Sequence, residues 1–203
     1  MKIICVGRNY SEHAKELKNP IPSEPVLFLK PETALIPNKQ PFFYPDFSQD
    51  IHFETEIVIK INRLGKNIDA QFSHKYYEEI SLGIDFTARD IQQRLKDKGL
   101  PWERAKAFDS SAPVGKFVNK ANFSDINNLD FSLKIDGEIK QQGNTKEMLF
   151  NVDNLIAEIS KYFTLKIGDL IFTGTPAGVG PISIGNHLEG YIEDKKVFNL
   201  KIR

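Results

Sequence analysis

A β-rich α+β fold, built on a curled sheet or sandwich roll, is what three features of the 203-residue sequence predict. Apolar runs of strand length outnumber segments of helical periodicity, two stretches read as hairpins, and most connections read as antiparallel. No internal repeat, low-complexity tract or Ser/Gly linker divides the chain, so residues 1–203 are expected to form a single domain.

The elements follow in order. "IICVG" (3–7) reads as a short strand and "NYSEHAKEL" (9–17) as a short polar helix. Residues 18–50 are rich in proline around the apolar run "VLFLK" (26–30), which predicts one strand among irregular connections. "IHFETEIVIKI" (51–61) reads as one strand ended by "NRLGKN", "HKYYEEI" (74–80) as a modest helix, and "ISLGIDF" (80–86) as an apolar strand with Asp85 at its tail. A helix is expected over 88–98, with Thr87 as N-cap, Asp90 at the third helical position and Gly99 as its stop. "LDFSLKIDGEIKQQG" (129–143) predicts a hairpin turning at Asp136-Gly137. "DNLIAEISKYF" (153–163) sets Leu155, Ile156, Ile159 and Phe163 on one helical face. "GDLIFTG" (168–174) is a strand running into a Gly/Pro loop, and "HLEGYIEDKKVFNLKI" closes as a second hairpin.

Lys+Arg and Asp+Glu both number 27, so the chain lacks the basic footprint of a nucleic-acid or anionic-membrane partner, and neither is expected. Cys5 is the single cysteine, which rules out an internal disulfide and suits a reducing compartment. "MKIICVGRNY" does not read as a signal peptide and no apolar run approaches the ~18 residues of a membrane span. A soluble, cytoplasmic protein is expected.

Four clusters could carry chemistry. Side chains alternate along a strand, so Glu54 and Glu56 share a face on which their charges repel. A solvated outer face of an antiparallel sheet would explain them without any function. Asp85, ending a buried strand, is less easily explained once Thr87 serves as cap. Together the three carboxylates would form an oxygen-only donor set suited to Mg²⁺, Mn²⁺ or Ca²⁺ rather than zinc. Their charge would exceed that of a divalent ion, so a nearby Lys or Arg, or a polar substrate, would complete such a site. His13 and Glu16, three apart on a helix, could form an oriented general base or an ordinary exposed pair. Arg89 and Gln92 share a helical face, and Lys106 lies in a short apolar segment. Beside carboxylates, these cations suggest an anionic substrate; singly, each is an ordinary surface residue. "TGTPAGVGP" (173–181) offers backbone N–H groups that can hold an anion, but it lacks the Lys-Ser/Thr ending of a nucleotide loop.

"VGRNYSEHAKE", "EPVLFLKP", "HFETEIVI", "GIDFTARDIQ", "KGLPWERAKAFDSSAPVG" and "GDLIFTGTPAGVGP", spread in order over residues 6–181, resemble the fumarylacetoacetate hydrolase family in its short single-domain acylpyruvase and oxaloacetate decarboxylase branch. The resemblance implies a mixed β-sandwich roll assembled as a homodimer, with Mg²⁺ or Mn²⁺ on Glu54, Glu56 and Asp85. It implies a lid helix carrying His13 and Glu16, Lys106 in the active site, and Arg89, Gln92 and Thr175 on the substrate's carboxylate and carbonyl oxygens. The activity it implies is metal-dependent C–C hydrolysis of acylpyruvates, with oxaloacetate decarboxylation open to the same site. Two alternatives stand beside it. One is an isomerase or hydratase of 2-oxo-dienoic acids, or an oxaloacetate tautomerase, within the same family; the other is a non-catalytic binding module stabilised by its metal.

Overall fold

The computed structural model describes residues 1–12, 21–37 and 40–203. Its first half comprises β1 (Ile3–Gly7), β2 (Val26–Lys30), β3 (Ile51–Phe53), β4 (Thr55–Ile61), α1 (Ala70–Ser73), β5 (Tyr77–Ile84) and β6 (Thr87–Ala88). There follow α2 (Arg89–Asp97), α3 (Glu103–Lys106), β7 (Val118–Asn119), β8 (Asp130–Ile135), β9 (Glu138–Asn144) and α4 (Val152–Tyr162). The chain ends in β10 (Leu170–Phe172), β11 (Gly180–Pro181), β12 (His187–Ile192) and β13 (Lys195–Lys201). No described helix is long and apolar enough to cross a membrane.

The strands form a six-stranded sheet in the order β2-β1-β10-β4-β5-β7, a three-stranded sheet β11-β3-β6 and a four-stranded sheet β13-β12-β8-β9. The expected β-rich α+β architecture is thus present, and it is mixed because β1 and β10 run parallel while the other pairs run antiparallel. Both predicted hairpins form. β8 and β9 turn at Asp136 (φ 53°) and Gly137 (φ 87°), two left-handed residues that match the right-handed twist of the flanking strands.

One face of β4 and β5, carrying Ile57, Ile59, Ile80 and Leu82, packs into the main core with Leu133, Leu188 and Phe198 from the four-stranded sheet. Each such fully buried side chain contributes about 1.5–3 kcal/mol. The opposite face is covered as well: Val58 and Phe172 join Ile3, Cys5, Leu170 and Ala112 in a smaller core. The solvated outer face that would have accounted for Glu54 and Glu56 does not exist.

Three local expectations are corrected. Residues 51–61 form two strands rather than one, broken at Glu54, because β3 pairs with β6 and β11 while β4 pairs with β5 and β10. The helix expected over 74–80 is replaced by the start of β5. There Tyr77 and Ile80 are buried, and Lys60 pairs with Glu79 across the ladder (2.7 Å). Cross-strand pairing overrides the weak helical pattern. Thr87 is no N-cap: it belongs to β6, the cap position falls on Ala88 without a side-chain bond, and the helix runs 89–97. Gly99 (φ 62°) does stop it. Of the polar helix expected over 9–17, Asn9 and Tyr10 are not helical, Tyr10 forming a β-bridge with Met148, Ser11 and Glu12 are helical, and residues 13–17 lie outside the described residues.

Gly115 ties the sheets together, its N–H bonding Leu82 O at 2.9 Å while Lys116 N–H bonds Val197 O at 2.7 Å. A Cβ at 115 would stand 2.3 Å from Val197 O, and backbone cannot yield as a side-chain tip can. Gly115→Ala is therefore expected to lower stability by about 1–3 kcal/mol or more. The loss should appear as a lower urea midpoint at unchanged m-value.

Candidate active site

The register of β4 and β5 brings the acids together. Thr55 faces Ile84 at the end of the ladder, so the next residues, Glu54 and Asp85, lie opposite one another, joined by Asp85 N–H to Glu54 O at 2.8 Å. Glu56 lies two residues along β4, opposite Gly83. All three carboxylates are buried, and oxygens from each lie within 4.8 Å of one another.

Cations surround them. Lys106 Nζ donates to Glu54 Oε2 (2.8 Å), Asp85 Oδ2 (2.7 Å) and Thr87 Oγ1 (2.6 Å), which uses every hydrogen of the ammonium. Burial works against that charge, but Asp85 and Glu54 outweigh it and raise the pKa, so Lys106 is a fixed cation and not a base. Arg89 Nη2 bonds Glu54 Oε1 and its Nη1 bonds Gln92 Oε1, both at 2.7 Å. Lys30, itself only 2% exposed, lies 2.6 Å from Asp85 Oδ1 and donates to Ser111 O and Oγ at 2.9 and 3.0 Å. Glu56 has no cation partner among the described residues; Gly174 N–H donates to its Oε2 at 2.7 Å. Burial, then the Asp85 and Glu54 charges, push the Glu56 carboxyl well above the usual carboxylate range. A hard-oxygen donor set with one unneutralised member fits a divalent cation of the magnesium or manganese type.

These groups line a cavity of about 40 Å³ together with Arg8, Phe28, Lys96, Trp102 and Thr175. Every proposed residue in the described part of the chain lines it: Glu54, Glu56, Asp85, Arg89, Gln92, Lys106 and Thr175. His13 and Glu16 lie outside the described residues. Beneath the site, burial raises the Cys5 thiol well above its ordinary pKa, which leaves it neutral and inert.

Several residues escaped sequence reasoning. Lys30 closes the otherwise apolar "VLFLK" and is the buried residue of that strand; a lysine ending an apolar run was the signal for it. Gln141 on β9 accepts from Thr55 N–H at 3.0 Å and donates to Thr175 Oγ1 and Pro176 O, both at 2.8 Å. It thereby clamps the break at Glu54 to the Gly/Pro loop. The loop's backbone N–H at Gly174 is taken up by a carboxyl group of the chain itself, that of Glu56. Asn9 anchors the same loop, its Nδ2 donating to Thr173 O at 2.8 Å. Neither amide has a sequence signal, because each acts across more than thirty residues.

Comparison with known proteins agrees with this geometry. The model of the fumarylacetoacetate (FAA) hydrolase C-terminal family matches residues 2–203. The chain belongs to the fumarylacetoacetate hydrolase family. It is 42% identical over 201 residues to the mitochondrial oxaloacetate tautomerase FAHD1 of Mus musculus, covering 99% of this chain and 91% of that protein. It is 46% identical over 185 residues to a mitochondrial oxaloacetate decarboxylase of Dictyostelium discoideum, covering 91% and 85%. Among solved structures, the fumarylpyruvate hydrolase of Pseudomonas aeruginosa in complex with Mn²⁺ and pyruvate superposes with a TM-score of 0.93. It is 33% identical, and the match covers 100% of this chain and 89% of that one.

The three acids should respond differently to neutralisation. A raised carboxyl pKa means the folded state binds a proton that the unfolded state has released. Metal-free stability then falls as pH rises from the unfolded carboxylate value through the raised folded one. Glu56→Gln removes that loss, so without metal it should match or exceed the wild type at neutral pH, with the gap closing on acidification. Glu54→Gln and Asp85→Asn strip buried cations of partners and should each cost about 3–5 kcal/mol. Thermal melts across pH in chelator test this, and all three variants should bind Mn²⁺ far more weakly by calorimetry.

Proposed function

We propose that the chain is a divalent-metal-dependent enzyme that converts a short 2-oxo acid through its enolate. Oxaloacetate is the favoured substrate, undergoing keto–enol tautomerisation or decarboxylation. The observation that carries this reading is the Lys106 ammonium bridging Glu54 and Asp85 in a cavity ringed by further cations. The names of the tautomerase and decarboxylase relatives, and the Mn²⁺ and pyruvate in the fumarylpyruvate hydrolase structure, support it.

Glu54, Glu56 and Asp85 would hold Mg²⁺ or Mn²⁺, which supplies Lewis-acid polarisation of the 2-oxo group. The chain's own residues do the rest. Arg89, Gln92 and Thr175 would orient the 2-oxo acid through its carboxylate and carbonyl oxygens. Removing a proton from C3 delivers negative charge to the C2 oxygen, and breaking the C3–C4 bond with loss of CO₂ delivers the same charge to the same atom. A preorganised ammonium at Lys106 stabilises that charge in either case, without reorganising at the moment of reaction. His13, oriented by Glu16, is the proposed base.

The second reading is C–C hydrolysis of an acylpyruvate, for which the His13–Glu16 pair would activate the attacking water; the fumarylpyruvate hydrolase neighbour favours it. Enol absorbance and pyruvate release, followed on oxaloacetate and a panel of acylpyruvates with Mg²⁺ and with chelator, test both. Turnover of oxaloacetate only when metal is present is expected. Lys106→Met should lower its kcat by about 10²–10³-fold. His13→Ala at saturating substrate should depress acylpyruvate hydrolysis much more than decarboxylation, which needs neither an attacking water nor a base. Metal-independent turnover, or equal losses in both reactions, would count against these assignments.

A further inference from the structure

The cavity carries more positive charge than its carboxylates can use. Lys106, Lys30 and Arg89 are engaged with Glu54 and Asp85, yet Arg8 and Lys96 also line the cavity and pair with no carboxylate among the described residues. Adding a divalent ion to the three acids only enlarges this surplus.

Both residues are held in place by the fold. Arg89, Gln92 and Lys96 stand at i, i+3 and i+7 on α2, one helical stripe leading away from the acids over about 10 Å. Arg8 follows directly on β1 with φ 60°, a left-handed conformation that arginine rarely adopts and that tends to persist where surroundings fix a functional side chain. Both are half-buried. Burial, then the neighbouring Arg89 and Arg8 charges, hold the Lys96 pKa below the ordinary lysine value against the opposing pull of Glu54, so these cations crowd one another.

We propose that Arg8 and Lys96 form a second anion subsite, which receives the distal carboxylate of a dicarboxylic 2-oxo acid and selects such acids over those with an apolar tail. The inference rests on the 2-oxo acid reading above and adds to it the group that recognises the far end. One carboxylate and the 2-oxo oxygen occupy the acid triad's side of the cavity. The other carboxylate meets a guanidinium with five donors and an ammonium with three.

Malate and 2-hydroxybutanoate test it, since neither enolises, both chelate a divalent ion through a 2-hydroxy acid, and they differ in a distal carboxylate against a methyl. Calorimetric titration of the Mn²⁺-loaded protein should give malate the tighter binding by about tenfold or more, as a charge-assisted contact provides. Arg8→Asn, which tolerates the left-handed backbone, combined with Lys96→Gln should bring that ratio close to unity while Mn²⁺ affinity is unchanged. Lys96→Arg alone should preserve the ratio. Equal, metal-dependent binding of the two acids by the wild type would overturn the subsite and leave the metal-chelate reading standing. A ratio that survives in the double variant, or equal losses for both acids, would overturn it too. Absence of metal-dependent binding for either acid would overturn both the subsite and the reading beneath it.

Discussion

Three carboxylates meeting in the protein interior are the constraint on which the rest of this structure depends. Left alone, like charges this close in a low dielectric would each cost several kcal/mol. The chain answers by making separate elements each deliver one neutralising group. β2 ends in Lys30, α3 ends in Lys106, α2 begins with Arg89, and the turn at Gly174 offers a backbone N–H. Glu56 is the acid that no side-chain cation reaches among the described residues, and this asymmetry leaves the cluster able to hold a metal ion, as a closed salt-bridge network would not be.

On the proposed function, the same arrangement would let one site suit several reactions. Tautomerisation, decarboxylation and C–C hydrolysis of 2-oxo acids differ in which bond breaks, yet all place charge on the same oxygen. A scaffold that fixes positive charge at that place serves all of them. On the proposed function, the choice among them falls to His13 and Glu16 and to the groups at the far end of the cavity.

Much of this was legible in the sequence, for identifiable reasons. Glu54, Glu56 and Asp85 stood out because carboxylates in apolar strands violate the ordinary pattern, and the Asp-Gly turn announced β8 and β9 through φ signs few residues tolerate. The break at Glu54 was hidden, because both strands it separates carry the same alternation and the change of partner sheet is a tertiary fact. Thr87 looked like a cap because threonine before a helix usually is one, whereas its hydroxyl serves Lys106 nineteen residues on. Gln141 left no trace, since a glutamine on a polar hairpin strand is unremarkable until the sheet packs.

The sheet order carries a consequence for how the chain matures. β10 is the spacer between β1 and β4, and it pairs with β1 across a separation of 167 residues, Ile3 facing Leu170. Until that strand emerges from the ribosome, β1 and β2 are not joined through the sheet to β4 and β5. A nascent chain therefore possesses all three acids and the Lys30, Arg89 and Lys106 charges that meet them long before the sheet that frames them is closed. Sequence-distant closure of this kind makes assembly slow, and it keeps the centre from becoming competent before synthesis is nearly complete.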